Sequence, residues 1–290
     1  MDSPARIIPV NGREIAIEDS GPPDGFPVIV HHGGSRHLFP GVVRDARSSG
    51  LRLISYDRPG QGRSTPQPGR VVADCADDVR AILGALGIGR TSVWGSSVGG
   101  PYALATAALL PEAIASVCVF ASLAPYGAPG LDFAEGMSEG FREEIRTFSD
   151  EPGRARAEFR ARSAEFARLS SSPAWWMGRW ADRAGQDAAH SQEWADYLAL
   201  VNRDGYSGGD EGWWEDWSAL FLPWGFDLAS IRAPVALWHG LRDTAAPPGH
   251  SRWLAGHIPH ATAHFPADQD HTNVEENNRA AAIRWVRDHI

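Results

Sequence analysis

The most informative pattern in this chain lies at residues 91–101, Thr-Ser-Val-Trp-Gly-Ser-Ser-Val-Gly-Gly-Pro. The apolar run at their start predicts a strand, and Pro101 suits the first turn of a helix. Between them lies Gly-x-Ser-x-Gly, centred on Ser97. A serine on so sharp a reversal has a strained backbone, which requires small neighbours such as Gly95 and Gly99. Because the following helix would direct unpaired N–H groups towards its hydroxyl, we interpret Ser97 as a candidate nucleophile.

The same motif occurs twice more, centred on Ser138 and Ser207. A chain with 31 glycines contains a chance match in roughly one case in four, so the string alone is a weak signal. Neither of these two serines follows a predicted strand. Only Ser97 lies between a strand and a helix, and we therefore assign the nucleophile there.

Short apolar runs that end in Gly or Pro alternate with helical stretches on both sides of this turn. Such repetition predicts crossover units and an α/β fold with a mostly parallel sheet flanked by helices. The predicted strands cover residues 13–18, 28–31, 51–56, 91–94, 115–120, 235–238 and 261–265. The predicted helices cover residues 71–86, 101–110, 250–257 and 274–289.

The strand pattern is interrupted between residues 125 and 226, which we predict to form an inserted helical cap. Residues 1–124 and 227–290 then form the α/β core. Eight of the 12 tryptophans lie in the cap. They either pack the interior of the cap or line an apolar pocket, and the candidates for substrate contact are Trp175, Trp176, Trp213 and Trp214. We expect the acidic residues among them, Asp210, Glu211, Glu215 and Asp216, to form a solvated face rather than a site for an amine.

Composition excludes several classes of protein. All 27 basic residues are Arg, so enzymes that need a lysine amine, including Schiff-base enzymes and phosphate-loop NTPases, are excluded. The net charge of −9 disfavours binding to nucleic acid or anionic lipid. Neither a metal-ligand spacing nor a dinucleotide fingerprint is present, so we expect no metal and no cofactor. The expected partner is a small-molecule substrate, and the oligomeric state stays open.

Cysteine usage and the N-terminal sequence bear on location. Cys75 and Cys118 fall in segments predicted as a helix and a buried strand, which favours inert thiols in a reducing compartment. Residues 1–6 lack the pattern of a signal peptide, and no apolar run is long enough to span a membrane. We therefore expect a cytoplasmic protein.

Three further segments follow predicted strands: His32-Gly33-Gly34-Ser35, the turn at residues 57–64, and His239-Gly240-Leu241-Arg242-Asp243. With the Ser97 turn, they make the chain resemble the serine hydrolases of the α/β-hydrolase fold. The resemblance covers the predicted core and fades in the cap. Because the serine at the elbow stands where epoxide hydrolases and dehalogenases of this fold need an aspartate, those reactions are not expected.

The resemblance implies a catalytic triad in the order serine, acid, histidine. Asp243 fits the acid and His271 the base, while His260 and His264 are rivals that belong to a predicted strand or its ends. The backbone N–H groups of Gly34 and Val98 would form the oxyanion hole. One departure is Asp270, which stands before the histidine where the family usually has glycine.

These residues predict an esterase-like hydrolase that acts on a carboxylic ester, lactone or thioester of a fairly large apolar or aromatic molecule. An aminopeptidase-like amide hydrolase of the proline-iminopeptidase type is the alternative within the enzyme class. Ser35-Arg36 replaces the Pro-Gly that is frequent in that branch, which argues against it. A non-hydrolytic ligand-binding member of the fold is the alternative outside the enzyme class.

Overall fold

A computed structural model describes residues 5–181 and 192–290 of the chain. One sheet of eight strands lies at its centre, in the order β1-β2-β4-β3-β5-β6-β7-β8. The strands are β1 (Arg6–Val10), β2 (Arg13–Ser20), β3 (Phe26–His31), β4 (Leu51–Tyr56), β5 (Thr91–Ser96), β6 (Ile114–Phe120), β7 (Val235–Trp238) and β8 (Ala261–His264).

Most of the sheet is parallel, which confirms the predicted fold class. Strands β4, β3, β5, β6, β7 and β8 run parallel to one another, whereas β2 pairs antiparallel with β1 and with β4. The sequence pattern did not predict β1. It is joined to β2 by Asn11 and Gly12, both with positive φ, as a tight hairpin turn requires.

Ten α-helices lie in the described residues. They are α1 (Pro40–Ser48), α2 (Cys75–Leu86), α3 (Gly99–Leu109), α4 (Glu139–Asp150), α5 (Pro152–Ser170), α6 (Pro173–Ala181), α7 (Gln192–Gly205), α8 (Glu211–Phe221), α9 (Gly249–His257) and α10 (Val274–Asp288). No helix in the described part of the chain is long and apolar enough to cross a bilayer.

Helices cover both faces of the sheet. Helix α3 lies against β5 and β6 and is buried along nearly its whole length, which its small Gly and Ala residues permit. Helices α1 and α10 cover the opposite face, where Trp94 and Phe120 belong to the same buried cluster. Because parallel strands end at a common edge, the loops after β3, β5, β7 and β8 meet there.

Helices α4 to α8 all fall between β6 and β7, in the segment predicted as a cap. The described part of this segment contains no strand. Residues 182–191 of the cap lie outside the described residues. The division of the chain into a core and a separate cap domain stays a prediction.

Candidate active site

The backbone at Ser97 has the strained geometry that its motif predicts. Ser97 has a φ of 53°, in the left-handed region that non-glycine residues seldom adopt. A Cβ added at Gly95 would lie 2.6 Å from the Cβ of Ala103, and one added at Gly99 would overlap the carbonyl of His31. Close packing of α3 against β5 and against the end of β3 therefore requires glycine on both sides of the turn, which presents Ser97 at the start of α3.

Three side chains from three loops form a continuous hydrogen-bonded chain. Ser97 Oγ lies 2.9 Å from His271 Nε2. His271 Nδ1 lies 2.7 Å from Asp243 Oδ2. An ionised carboxylate only accepts, so Nδ1 carries the ring proton and Nε2 is left to accept the proton of the serine. This arrangement can activate a hydroxyl nucleophile.

Asp243 is buried, and its surroundings favour the ionised form. Burial disfavours the charge, but hydrogen bonds from His239 and His271 outweigh it and hold the pKa of Asp243 well below its usual range. The second carboxylate oxygen accepts hydrogen bonds of 2.9 Å from the N–H groups of Ala245 and Ala246. His239, whose Nε2 lies 3.2 Å from Oδ2, was not assigned a role from the sequence.

The rival histidines lie apart from this chain. His264 is the last residue of β8, and its ring stacks on Trp238 at 5.0 Å between centroids. His260 precedes β8, where its carbonyl accepts the N–H of Val235. Of the three candidate histidines, only His271 lies within hydrogen-bond distance of both Ser97 and Asp243.

The two N–H groups predicted to form the oxyanion hole have different surroundings. Val98 directly follows the nucleophile and precedes the first residue of α3. The N–H of Gly34 instead donates to His32 Nδ1 at 3.2 Å, so a substrate oxygen would have to displace that ring. Because Nδ1 accepts, the ring proton of His32 is on Nε2. Burial and the nearby Arg58 lower the pKa of His32 to about 3, so this imidazole is neutral.

A cavity of about 190 Å³ adjoins the nucleophile. Both Ser97 and His271 line it, and its floor lies between α1 and α10. The side chains that line it also include Phe39, Trp94, Trp194, Tyr197, Glu275 and Glu276. Two of them, Trp194 and Tyr197, come from α7 and were not selected from the sequence. Their rings pack with Phe39, at centroid distances of 4.0 and 5.4 Å.

The four tryptophans selected as substrate contacts do not line this cavity. Trp175 and Trp176 pack against each other and against Phe166. Trp213 stacks on Tyr206 at 4.7 Å, and its ring lies close to Gly34. Trp214 packs among Phe148, Phe159 and the guanidinium of Arg156. These surroundings match the other interpretation of the tryptophans, packing of the helices among themselves.

One acidic residue of α8 differs from its expected solvated position. Asp216 is 3% exposed, and it pairs with Arg58, at 2.6 Å, and with Arg70. Burial raises the pKa of Asp216, but the two guanidinium groups outweigh it and lower the pKa to about 2. A buried carboxylate needs such partners, and only folding brings them to it. The expectation of a wet face at Asp216 is therefore wrong.

The same junction includes a direct contact between two backbones. A Cβ added at Gly212, in the first turn of α8, would overlap the carbonyl of Gly60 in the turn after β4. A Cβ added at Gly60 would lie 2.8 Å from the Cα of Gly212. Helix α8 is thus held to the core both by buried charges and by glycine-to-glycine packing.

Comparisons with known proteins agree with this architecture. A family model described as the alpha/beta hydrolase fold matches residues 27–278. The chain is 29% identical over 244 residues to a non-heme chloroperoxidase of Streptomyces lividans, a match that covers 82% of this chain and 81% of that protein. It is 31% identical over 147 residues to a proline iminopeptidase of Neisseria gonorrhoeae, which covers 47% of this chain and 46% of the iminopeptidase.

Solved structures share the fold at lower identity. An enol-lactonase from Burkholderia xenovorans has a TM-score of 0.67 at 21% identity, with 98% of this chain and 99% of that chain covered. An esterase from Rhodococcus has a TM-score of 0.68 at 22% identity, with 99% of each chain covered. Since the family model spans most of the sequence, this chain belongs to the α/β-hydrolase-fold family.

Proposed function

We propose that the protein is a serine hydrolase that cleaves a carboxylic ester, lactone or thioester through an acyl-enzyme on Ser97. The hydrogen-bonded chain from Ser97 through His271 to Asp243, at a strained elbow, is the observation that carries the proposal. The aromatic and aliphatic walls of the adjoining cavity favour a fairly large apolar or aromatic substrate.

The reaction follows from the protonation state of the three groups. His271 Nε2 takes the proton of Ser97 as Oγ attacks the carbonyl carbon, and the carbonyl oxygen becomes an oxyanion. When the tetrahedral intermediate collapses, the bond to the leaving oxygen or sulfur breaks, and His271 returns the proton to it. Water then attacks the acyl-enzyme with the same histidine as base. Asp243 stays ionised throughout and stabilises the imidazolium.

The N–H of Val98 is placed to stabilise the oxyanion, because it follows the nucleophile at the start of α3. Gly34 would contribute the second N–H once the hydrogen bond to His32 is exchanged for one to the substrate. We further propose that residues 125–226 act as a cap, since α7 contributes Trp194 and Tyr197 to the cavity wall.

Labelling with a fluorophosphonate, read by intact mass, tests the nucleophile. We expect one adduct per chain in the wild type and none in Ser97→Ala. Ser138→Ala and Ser207→Ala are matched controls, because both serines occupy the same motif, and both variants should still be labelled. An adduct that persists in Ser97→Ala would contradict the assignment. No adduct on the wild-type protein would favour the ligand-binding alternative.

Amide hydrolysis is the second candidate, and the partial match to proline iminopeptidase favours it. The acids of the predicted cap offer it little support. Glu211 pairs with Arg156 and Arg160, and Asp216 is buried in the junction with the core. Rates on an ester and on the amide of the same acyl group separate the candidates, and we expect the ester to be cleaved faster.

A further inference from the structure

The cavity beside the nucleophile contains a carboxyl group that the proposed reaction does not use. Glu275 lies in the first turn of α10 and lines this cavity together with Ser97 and His271. It accepts a hydrogen bond of 2.9 Å from Trp94 Nε1, and the nearby side chain of Ser96 also favours its charged form. Because Ser96 directly precedes the nucleophile, the carboxyl group lies close to where a scissile carbonyl would bind.

No cation pairs directly with this carboxyl group within the described part of the chain. Trp94 and Ser96 are both neutral, and the indole N–H of Trp94 uses one of the roughly four acceptor positions of a carboxylate. Arg279 also lines the cavity, and its charge lowers the pKa of Glu275 in part, but its guanidinium pairs with Asp45 at 2.7 Å and approaches Glu276 at 4.0 Å. Burial raises the pKa of Glu275, since the site stabilises its charge incompletely. Glu275 can therefore accept a further donor from a ligand.

The rest of the cavity favours a positively charged ligand group near Glu275. The rings of Phe39, Trp194 and Tyr197 form one wall, and aromatic rings attract cations. They also reduce access of water, which strengthens the attraction between opposite charges. On another side, His32 Nε2 is shielded from solvent and has no partner among the described residues. The cavity thus offers a donor for a carbonyl as well as an acceptor for an ammonium group.

We propose that Glu275 binds a protonated amine on the acyl part of the substrate, so that the enzyme prefers aminoacyl esters to neutral esters. The inference rests on the proposed serine hydrolase function and names its substrate class. An α- or β-ammonium group lies within a few bonds of the carbonyl, which suits a carboxyl group that lines the same cavity as Ser97 and His271. Acyl groups with a carboxylate at that position are repelled.

Two esters with the same carbon skeleton test the proposal: leucine methyl ester and methyl 4-methylpentanoate, which differ only in the ammonium group. Both are measured at pH 6.5, where most of the amine is protonated. We expect Glu275→Gln to lower kcat/KM for the leucine ester by roughly ten- to hundredfold, mainly through KM. The ratio of kcat/KM for the leucine ester to that for the neutral ester should fall by a similar factor, because the neutral ester has no charge to pair with Glu275 and glutamine keeps an acceptor for Trp94.

Two further variants separate a binding role from a structural one. Glu143→Gln removes the same charge from the exposed surface of α4, where Glu143 pairs with Arg146 at 2.8 Å, and should leave both esters unchanged. Glu275→Asp keeps the charge and should retain most of the preference for the leucine ester. Melting temperatures of all variants show whether a loss of rate reflects unfolding.

The outcomes distinguish this inference from the proposed function. If wild type and Glu275→Gln both hydrolyse the neutral ester and show the same preference between the two esters, the proposed amine site is wrong. The proposed serine hydrolase function then still holds. An equal loss in Glu143→Gln also overturns the amine site, because the effect would then come from net charge. If neither ester is hydrolysed and no fluorophosphonate adduct forms, both proposals fail.

Discussion

Asp243 and Asp216 are both buried carboxylates with lowered pKa values, yet their partners differ in kind. Asp243 accepts hydrogen bonds from two imidazole rings and two backbone N–H groups. Asp216 is held by two guanidinium groups, with Tyr102 as a further donor at 3.1 Å. One cluster lies beside a cavity, and the other lies between α8 and the core.

The difference shows what separates a reactive polar cluster from a structural one. An imidazole gains and loses a proton near neutral pH, so the Asp243 cluster can move a proton from Ser97 and return it. Guanidinium groups stay charged at every accessible pH, so the Asp216 cluster can only hold its charges in place. Burial and a shifted pKa occur in both regions, and the type of partner distinguishes them.

The largest expected effect is on catalysis. Asp243→Asn leaves the site the same size but removes the charge that orients His271, and we expect kcat/KM for an ester to fall on the order of 10⁴-fold. Urea unfolding of the same variant should show a much smaller relative change. A fall of less than tenfold would mean that Asp243 is not the acid of the triad.

Asp216→Ala should instead destabilise the fold. It leaves Arg58 and Arg70 buried without their counter-charge, which costs about 3–5 kcal/mol of unfolding free energy. Asp77→Ala is the matched control, because Asp77 pairs with Arg80 on the surface and is 53% exposed. We expect the control to change the unfolding free energy by about 0.3 kcal/mol. Equal losses in the two variants would contradict the distinction between the regions.

We expect acid to reduce the contribution of Asp216 to the free energy of unfolding. The folded pKa of Asp216 is about 2, below its ordinary value of 3.8, so its contribution is present above pH 4 and lost as the pH falls through 2. The gap in unfolding free energy between wild type and Asp216→Asn should therefore be widest near pH 6 and narrow towards pH 2. Urea titrations at four pH values measure this difference in unfolding free energy. A difference that widens in acid would contradict the conclusion that Asp216 is ionised in its ion pairs.

The smallest effect is expected at His239. Its Nε2 donates to the carbonyl of Ala246 and lies 3.2 Å from Asp243 Oδ2, and its Nδ1 lies 2.7 Å from Ser251 Oγ. His239→Gln keeps a donor but loses this geometry, and we expect kcat/KM to fall about three- to tenfold, with the pH profile shifted. A loss as large as that of Asp243→Asn would place His239 among the groups essential to the reaction.

Local patterns were sufficient to predict the elbow, whereas the order of the candidate triad was taken from the resemblance to a known family. Gly95 is required by a contact within one strand–turn–helix unit, which a short window of sequence contains, whereas Gly99 is required by the carbonyl of His31 in β3. The parallel sheet was predictable for the same reason, because each crossover has its own repeat of strand and helix. The short antiparallel strand β1 was missed, since its pairing depends on β2 rather than on its own pattern.

The walls of the cavity depend on packing between distant segments and were not predictable in this way. Trp194 and Tyr197 of α7 reach the cavity because that helix lies against Phe39, about 155 residues earlier. Trp213 and Trp214 look equivalent to them in sequence but turn towards other helices. Glu275 was overlooked because a carboxylate in the first turn of a helix is ordinary, and only the fold brings it to Trp94.

The contact between Gly60 and Gly212 has a consequence for protein engineering. Exchanging the predicted cap for that of another α/β hydrolase would separate two backbones that fit only because neither residue has a side chain. A chimera should therefore keep α8 with its own core and place the crossover before Glu211, where α8 begins. The segment that can be exchanged is then shorter than the whole insertion between β6 and β7. Its boundary is set by steric fit with the core rather than by the ends of the flanking strands.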